Sequence, residues 1–333
     1  MTSVYWHKGF LISKRYGIGA GMPTLSPLPT VAVLMATFNG GRDVVAQLDS
    51  IASQTHLPDL ILISDDGSKD ATCTHIDAFA AAHPDIPVMR IDGPQQGATR
   101  NFLHLLIHTP DEIDVVAFCD QDDVWLDHKL ARGLEHLKTA DTAPTLYCAR
   151  TWVCDVNLNK RRMSRFPKAP PGFRNAIVQN IAAGNTIMLN RQALSIARRL
   201  ARRTRKTVVH DWWLYQIITG IGGHVICDAE PVLLYRQHRN NLVGANFGLQ
   251  AWIKRMNHVR RGGLRRWTTT NLVALRHASD DLTDENRAIL AAFTYIRRKP
   301  WWRRVQGIYR LGLYRQRRLG QASLFAAAIL GFL

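Results

Sequence analysis

The sequence predicts an α/β fold, a doubly wound and mostly parallel sheet with a basic helical C-terminal extension. Three observations support this. Short apolar runs alternate with amphipathic helical segments over the first 140 residues, the pattern of repeated strand–helix units. The main polar motifs each follow a predicted strand, and open α/β sheets bind ligands at the carboxyl ends of their strands. The tail from residue 247 has a helical pattern and holds most of the excess positive charge.

Four strand–helix units are predicted in the first part of the chain. Apolar residues run with little interruption between polar turns, as they do in buried parallel strands. These strands are expected at 31–35, 60–64, 88–91 and 114–119. The helices that follow them are expected at 43–55, 70–82, 99–108 and 126–137. In the first helix, Val44, Val45, Leu48 and Ile51 form one apolar face.

The pattern is less regular from residue 143 onward. We expect 145–150 and 152–157 to form a hairpin or a sheet edge, and 160–173 to be a basic, Pro-rich loop. The remaining predicted elements are a strand at 186–189, a helix at 191–200, a helix from His210, and short strands at 224–227 and 231–235. Residues 1–29 are expected to be a loose leader, since they lack the apolar core of a signal peptide.

The stretch 115–126 carries the clearest chemical signal. Its apolar strand leads directly into Asp120, Asp122 and Asp123. Like charges this close are costly unless a cation neutralises them. Mg²⁺ or Mn²⁺ would do so, held by one or two carboxylates and by substrate phosphates. The alternative is a solvated acidic turn that caps the next helix, whereas an EF-hand is excluded because its Gly and distal Glu are missing.

Charge and cysteine content narrow the class of protein. The net charge is +17, and residues 247–333 contain 17 Lys and Arg against 4 Asp and Glu. The rest of the chain is therefore close to an ordinary globular domain, and the tail carries the excess. The five cysteines are scattered without metal-ligand spacing, which is typical of reduced thiols in a cytosolic protein. No apolar run is long enough to span a bilayer.

The basic tail predicts contact with an anionic membrane surface. Trp301 and Trp302 stand beside Arg303 and Arg304, and the last ten residues, 324–333, are apolar. Aromatic, Arg and apolar residues occur together in segments that lie on membranes. The alternative is that these helices pack on the core or on a second subunit. Nucleic-acid binding is not expected, because no recognised module accompanies the charge.

Four motifs in order resemble those of family 2 glycosyltransferases with the GT-A fold. They are residues 31–39, Ile63-Ser-Asp-Asp-Gly-Ser68, Asp120-Gln-Asp-Asp-Val-Trp125 and His210-Asp-Trp-Trp213. The run from Tyr235 to Asn241, with Val243 and Gly244, is similar to the rhamnosyltransferase-like branch. The resemblance implies a transferase domain at 30–246, with a nucleotide-binding part at 30–140 and an acceptor-side part at 141–246. Residues 247–333 would then be the basic helical region.

The resemblance also implies roles for individual residues. The base and ribose of a nucleotide-sugar would lie against Thr37, Phe38, Asn39, Asp65 and Asp66. Other donor contacts would come from Gly97, Asn101, Asp120 and Asp122. The metal on the diphosphate would be held by Asp122, Asp123 and His238. Asp211 would be the general base.

Two departures from the family pattern are visible. Ala36 stands where the family usually has Pro, which changes the stiffness of a turn rather than its chemistry. Arg239 stands where the branch commonly has Gly after the His, which could alter access near the metal. The Gln-X-X-Arg-Trp signature of polymerising members is not evident.

The residues around Asp211 suit a base by chemistry as well as by resemblance. An acceptor hydroxyl is a poor nucleophile and needs a base within hydrogen-bond reach. His210, Trp212 and Trp213 are expected to desolvate the carboxylate and to stack on a sugar. The alternative for Asp211 is a plain helix N-cap. For His238, taken alone, a structural role is the ordinary interpretation.

The sequence therefore predicts an inverting, metal-dependent glycosyltransferase of cell-surface polysaccharide synthesis. Its donor would be dTDP-rhamnose, or another dTDP- or UDP-sugar, and its acceptor a saccharide or lipid-linked saccharide at the inner face of the cell membrane. Two alternatives stay open. A nucleotidyltransferase would need a Gly-rich basic loop after the first strand, for which 39–42 is a poor candidate. A non-catalytic membrane or nucleic-acid binder would leave the acidic strand ends without a purpose.

Overall fold

The computed structural model describes residues 28–139, 142–237 and 263–333. The strands are β1 (Val31–Thr37), β2 (Leu60–Asp65), β3 (Val88–Asp92), β4 (Val115–Asp120), β5 (Val124–Trp125), β6 (Thr145–Cys154), β7 (Lys160–Met163), β8 (Met188–Leu189) and β9 (His224–Arg236). The helices described between residues 28 and 237 are α1 (Asp43–Ala52), α2 (Thr72–Ala82), α3 (Ala98–His108), α4 (Lys129–Lys138), α5 (Phe173–Ala176), α6 (Arg191–Arg203) and α7 (His210–Gly220). Those described from residue 263 onward are α8 (Gly263–Arg276), α9 (Asp284–Ile296), α10 (Trp301–Arg310) and α11 (Arg318–Leu330).

One sheet runs through the first 237 residues, in the order β3-β2-β1-β4-β8-β6-β9-β5, with β7 paired to β6. The strands β3, β2, β1 and β4 are parallel to one another, as predicted. The register sets Thr37 opposite Asp65 and Ala36 opposite Asp120. The carboxyl ends of these strands therefore meet at one edge, where the chain order reverses between β1 and β4.

Alternation along the strands divides the apolar core into two layers. Ala32 and Leu34 of β1 face a layer that contains α3, α6 and α7. Val31 and Val33 face the opposite layer, with α1, α2 and α4. Both faces of β1, β2 and β4 are buried, which is why these strands read as continuous apolar runs rather than as alternating ones. The doubly wound α/β prediction is confirmed.

Residues 145–150 and 152–157 were predicted to be strands of a hairpin or a sheet edge, and the hairpin alternative is wrong. Residues 145–154 form the single strand β6, which pairs in parallel with β9 and bends at register shifts beside Arg150. The hairpin is instead made by β6 and β7, so the start of the predicted loop at 160–173 is a strand. The basic, largely exposed residues of β7 are typical of an edge strand that is protected against pairing with another chain.

The two short strands predicted at 224–227 and 231–235 are one strand in the structure. They join across an irregularity between Asp228 and Pro231, where the pairing with β6 shifts register. Proline has no N–H to donate to a ladder and is found at such irregular positions. The sequence showed the interruption, but not that the strand continues past it.

The helices α8 to α11 pack on the same apolar layer as α7. Leu275 of α8, Phe293 of α9, Ile308 of α10 and Leu324 of α11 are all buried in it. Polar contacts also dock the segment between α10 and α11: Gln316 Oε1 accepts from the backbone N–H groups of Lys168 and Ala169. This is the packing on the core that the sequence left as the alternative for the tail. Among the described residues, no helix has both the length and the apolar character needed to cross a bilayer.

Candidate active site

The ends of β1 and β2 are joined through the carboxylate of Asp65. Its Oδ2 accepts hydrogen bonds from Thr37 Oγ1 at 2.8 Å and Ser68 Oγ at 2.6 Å. Its Oδ1 accepts from the backbone N–H groups of Gly67 and Ser68. Thr37 and Asp65 are almost fully buried. Thr37 and Asp65 were predicted to contact the donor. In the structure they hold the turn after β2, and few of their hydrogen-bonding positions remain for a ligand.

Asp66 positions the loop between β3 and α3. Its two carboxylate oxygens accept from the backbone N–H groups of Gln95 at 2.6 Å and Gly97 at 2.7 Å. Gly97 has φ +83°, and apart from Gly97 and its two chain neighbours no described residue has an atom within 4 Å of the position a Cβ would take. The space beside Gly97 is therefore open, while Asp66 holds the backbone that borders it.

Asn101 lies one turn into α3 with 1% of its surface exposed. Its Nδ2 donates to Ser64 O at 2.7 Å. Its buried Oδ1 has no hydrogen-bond partner among the described residues. Asp66, Gly97 and Asn101 are thus brought together at the end of β2, as predicted for the donor side. Their roles toward a donor stay predictions.

Phe38 and Asn39 form the rim between β1 and the acidic stretch. The backbone N–H of Phe38 donates to Gln121 Oε1 at 2.8 Å, and its C=O accepts from Gln121 Nε2 at 3.1 Å. The Phe38 ring is 54% exposed. Asn39 bonds the next loop, donating from its N–H to Ser68 Oγ and accepting at Oδ1 from Lys69 N–H. An exposed ring at this edge offers a flat apolar face for a nucleotide base.

Asp120 and Asp122 differ from Asp123 in burial. Both of the former are partly exposed, and Asp123 is fully buried. Asp123 Oδ2 accepts from Asn185 Nδ2 at 2.5 Å, and its Oδ1 accepts from the backbone N–H of Arg236 at 3.2 Å. With both oxygens bonded inside the fold, the geometry does not favour the predicted metal role of Asp123. It favours a role in holding β9 against the acidic stretch.

Burial and neighbouring carboxylates together disfavour the ionised form of Asp120, and the charge of Lys129 offsets them only in part. The pKa of Asp120 is raised to about 7, first by desolvation and then by the charges of Asp122 and Asp211. Asp120 keeps some solvent exposure, yet protein surrounds it on most sides, as expected in a concave site. The charge of Asp211 acts on Asp120, which places the start of α7 near the end of β4, at the edge of the sheet that we call the acidic crevice.

Asp211 is the second residue of α7. The N-cap is Val209, which makes no side-chain cap, so the plain N-cap alternative for Asp211 is not what the structure shows. Desolvation raises the pKa of Asp211 to about 6, against the opposing effect of hydrogen bonds from the Trp212 backbone, the Asn180 side chain and the Gly184 backbone. A partly exposed carboxylate with this pKa can accept a proton near neutral pH.

The residues beside Asp211 in the sequence are buried in the core and anchor the start of α7. His210 stacks on Phe102, with ring centroids 3.9 Å apart, and burial lowers its pKa to about 3, so the imidazole is neutral. Trp213 is fully buried, and Trp212 donates from Nε1 to Ala176 O at 2.6 Å. The expectation that the two tryptophans stack on a sugar is wrong. Helix α7 is buried nearly all round, so these rings belong to the core.

A match to a family model decides the class of protein. The model "Glycosyl transferase family 2" matches residues 32–203, just over half of the chain. The chain belongs to the family 2 glycosyltransferases.

Individual relatives agree with this assignment. Over 247 residues the transferase is 30% identical to the dTDP-rhamnosyl transferase RfbG of Shigella flexneri, covering 71% of this chain and 82% of that protein. An uncharacterized glycosyltransferase of Nostoc sp. is 31% identical over 119 residues, 35% of each chain. Among solved structures, TarS 1–349 of S. aureus in complex with UDP-GlcNAc superposes with a TM-score of 0.53 over 91% of both chains, at 10% identity. That likeness concerns the fold alone.

These matches confirm several predictions. The resemblance to family 2 and its rhamnosyltransferase-like branch, the GT-A type of fold, and glycosyl transfer from a nucleotide-sugar are all supported. The roles of single site residues stay predictions.

The residues of the crevice fit a divalent cation bound together with its substrate. Among the described residues, no three His, Cys, Asp or Glu side chains converge as a preformed metal cage. Mg²⁺ is commonly held by only one or two carboxylates, with substrate phosphates completing its shell. Asp120 and Asp122 can supply these, and a cation would relieve the repulsion that raises the pKa of Asp120. The predicted ligand His238, and Arg239 beside it, lie outside the described residues.

Sequence reasoning missed four residues that build the site. Gln121 clamps the Phe38 backbone, and Asn185 bonds Asp123. Lys129 is fully buried, with Nζ donating to Asn185 O at 2.7 Å and lying 3.2 Å from the Trp125 ring centroid. The signal for Lys129 was present, since it falls on the apolar face of α4. The fourth, Gly184, had no signal in the sequence.

Gly184 allows a close approach between the start of α7 and the preceding turn. A Cβ on this residue would lie 2.8 Å from His210 Nε2 and 3.4 Å from the Cβ of Asp211. Its backbone N–H is also among the groups bonded to Asp211. Any side chain here would push the turn away from α7 and displace the carboxylate.

Proposed function

We propose that this protein is an inverting, metal-dependent glycosyltransferase. Its donor is dTDP-rhamnose and its acceptor a lipid-linked saccharide, in the synthesis of a cell-surface polysaccharide. The observation that supports the reaction is that the charges of Asp122 and Asp211 both act on Asp120, so the three carboxylates belong to one acidic region at the end of β4. Similarity to the S. flexneri dTDP-rhamnosyl transferase supports the choice of donor.

Asp211 is the general base in this proposal. Its carboxylate takes the proton of an acceptor hydroxyl as that oxygen attacks the anomeric carbon of the donor sugar. The bond from the anomeric carbon to the nucleoside diphosphate breaks at the opposite face, so one displacement inverts the configuration. Burial keeps Asp211 basic enough to accept the proton, and neutral His210 adds no charge that would lower its basicity.

The donor lies between the ends of β1, β2 and β4. The open space beside Gly97 admits the nucleotide, and the exposed Phe38 ring stacks on its base. Asp120 and Asp122 hold the cation, which neutralises the charge developing on the leaving diphosphate. Asp66 acts by fixing the backbone around Gly97, so it shapes the donor pocket rather than holding the base or ribose.

The acceptor side suits a substrate anchored in a membrane. The helices α10 and α11 expose several large apolar side chains among arginines, namely Trp301, Trp302, Tyr309, Leu319 and Leu330. Such a surface binds the headgroup region of an anionic bilayer. We therefore propose peripheral contact with the inner face of the cell membrane.

A thermal-shift comparison tests the donor assignment. The protein is melted with dTDP, UDP or GDP, each with and without Mn²⁺. We expect the largest rise in Tm with dTDP, and only when Mn²⁺ is present, because the cation links the carboxylates to the diphosphate. Asp122→Asn should abolish this rise. A rise with GDP alone, or one independent of the metal, would contradict the proposal.

A further inference from the structure

A second, basic cavity lies outside the acidic crevice. Its volume is about 560 Å³, and it lies between the loop that follows α6 and the first turns of α8. That size is within the range of small-molecule sites, roughly 300–1,000 Å³. Its lining includes Lys206, Val208, Arg265, Arg266 and Trp267.

The cavity concentrates positive charge. Of the described acidic side chains, none forms an ion pair with Lys206, Arg265 or Arg266. Arg265 also borders an adjoining cavity of about 220 Å³, lined by Arg276, Arg297 and Arg298. Burial and the charges of Arg265, Arg276 and Arg298 lower the pKa of Arg297 to about 10. Cations held this close together favour an anionic ligand.

The protein fixes the wall of this cavity from two sides. Thr207 Oγ1 and the backbone N–H of Val208 both donate to Oδ1 of Asn271, at 3.3 and 3.2 Å. Asn271 is on α8, one turn beyond Trp267, and only 2% exposed. The loop and the helix thus form one surface, and Trp267 adds a partly exposed aromatic ring beside the cations.

The same loop leads into the catalytic helix. Val208 precedes Asp211 by three residues, so their Cα atoms lie within roughly 11 Å of each other. The carbonyl of Val208 also accepts from Thr99 Oγ1 at 3.4 Å, at the start of α3 beside the donor loop. The loop that lines the cavity is therefore connected directly to the proposed base and to the start of α3.

We propose that this cavity binds a phosphate or diphosphate group of the acceptor, with the saccharide extending from it toward Asp211. The inference rests on the proposed function, because it takes Asp211 as the base. Arg and Lys side chains recognise phosphate oxygens through charge-assisted hydrogen bonds. A diphosphate that links a saccharide to a lipid has this chemistry, and so has a phospholipid headgroup. The experiments below separate the two.

Calorimetric titration with inorganic pyrophosphate at low salt measures the affinity of the cavity for an anion. EDTA removes divalent cations, so that the binding measured does not depend on a metal. Lys206→Ala and Arg266→Ala should each weaken binding about tenfold or more, since each removes a charge-assisted hydrogen bond. Arg202→Ala is the matched control, an exposed cation on α6 that does not line the cavity, and should bind as the wild type does. If Lys206→Ala and Arg266→Ala both bind pyrophosphate normally, the cavity is not a phosphate site.

Binding at the donor site tests whether the cavity variants are folded and whether the two sites bind their ligands independently. Lys206→Ala and Arg266→Ala should bind dTDP with Mn²⁺ as the wild type does, and Asp122→Asn should keep pyrophosphate binding in EDTA. If the wild type fails to bind dTDP while pyrophosphate binding still maps to the cavity, the proposed function fails and the anion site remains. If pyrophosphate binding is lost in Asp122→Asn, the anion site is the acidic crevice and the inference fails.

Vesicle sedimentation separates the two sources of phosphate. Vesicles of phosphatidylcholine are compared with vesicles that also contain phosphatidylglycerol. For an acceptor site, Lys206→Ala and Arg266→Ala should lower pyrophosphate affinity and leave vesicle binding nearly unchanged. Variants that lose vesicle binding while retaining pyrophosphate affinity would assign the cavity to membrane headgroups and overturn the acceptor role.

Discussion

Asp211 combines burial with a position in the first turn of a helix. The positive end of the helix dipole favours its ionised form, whereas desolvation dominates and raises the pKa to about 6. Asp211→Asn keeps the shape and removes the base, so the transfer rate should fall by about 10²- to 10⁴-fold. Steady-state kinetics with donor and acceptor measure this, and dTDP–Mn²⁺ affinity should stay within about twofold.

The matched control is Asp284→Asn, which also removes a carboxylate from the first turn of a helix, but at an exposed position on α9. Its rate should equal that of the wild type. Asp211→Asn should also raise Tm slightly. A buried carboxyl whose pKa is raised on folding lowers the stability of the protein where it is ionised. Retention of full rate in Asp211→Asn would rule out the base assignment.

The pH dependence of the rate follows from the same carboxyl. Asp211 must be ionised to accept a proton, and its pKa is about 6 in the protein. The rate should therefore be constant at neutral pH and fall about tenfold for each pH unit well below 6. A profile of kcat/KM against pH measures it, with dTDP–Mn²⁺ binding followed over the same range. A profile that stays flat down to pH 5 would contradict this role.

The pKa of Asp228 is shifted in the opposite direction to that of Asp211, and this carboxylate contributes to stability rather than to catalysis. Partial burial would raise its pKa, but hydrogen bonds from Arg132, the Glu230 backbone and Tyr147 outweigh that and lower it to about 2. Arg132 Nε lies 2.5 Å from Oδ2, and the Tyr147 hydroxyl lies 2.8 Å from the same oxygen. This carboxylate ties α4 and β6 to β9.

Acid titration of stability tests the Asp228 contacts. A lowered folded pKa means that the stabilisation is complete above about pH 4 and is lost as the pH falls toward 2. Asp228→Asn should lower the free energy of unfolding by about 2 kcal/mol at pH 7. The effect is limited to this size because Arg132 is partly exposed, so water can solvate its guanidinium once the carboxylate is gone. Urea unfolding at pH 7 and pH 3 measures both values, and the gap between variant and wild type should narrow at pH 3. An equal gap at both pH values would show that charge is not the cause.

Site residues were predictable from the sequence where one residue's chemistry carries the role. Asp120, Asp122 and Asp211 could be proposed in this way, because carboxylates after strands or at helix starts are visible as motifs, and their roles stay predictions. Asp123 looked equivalent to its neighbours, and only the contacts with Asn185 and Arg236 show that it faces inward. Partners that come from distant parts of the chain leave no local signal.

At the scale of single elements, the loop from β3 to α3 depends on one backbone conformation. Gly97 has φ +83° and donates its N–H to Asp66. Gly97→Ala should cost about 1 kcal/mol of stability and weaken dTDP–Mn²⁺ binding several-fold, because the pocket wall shifts.

Gly331 provides the comparison for Gly97. It has φ +79° at the C-terminal end of α11, in a different part of the fold. Gly331→Ala should lose a similar amount of stability, measured by thermal unfolding, with no change in nucleotide affinity. If both variants bind dTDP equally well, the loop does not border the donor.

Prediction of the elements succeeded where burial is two-sided and failed where it is not. The strands β1, β2 and β4 are covered by helices on both faces, so their sequences are continuous and apolar. The exposed edge strand β7 has the sequence Lys-Arg-Arg-Met, which local pattern cannot distinguish from a loop. Its pairing with β6 comes from tertiary structure rather than from local preference.

At the scale of the whole molecule, charge and exposed aromatic rings occur together in the last four helices. The double variant Trp301→Ser with Trp302→Ser should lower sedimentation with phosphatidylglycerol vesicles several-fold, since both rings are 54% exposed on α10. Binding by the wild type should weaken as salt rises, because the Arg contribution is screened.

Val156→Ser is the control for the membrane prediction. Val156 is also 54% exposed and lies in the turn between β6 and β7, so its replacement should leave sedimentation unchanged. Tm should be unaffected in both variants, because neither position is part of the core. If the double variant and Val156→Ser lose vesicle sedimentation equally, or if neither loses any, a membrane surface on α10 is contradicted.

The shared packing of α7 with the last four helices has a practical consequence. A shortened version of the chain that stops before α8 would retain Asp120, Asp122 and Asp211, the carboxylates that we propose for the reaction. It would nevertheless strip the cover from Leu214 and its neighbours, which share one apolar layer with Leu275 and Phe293. We expect such a fragment to precipitate on expression, so trimming for crystallisation should begin at the other end.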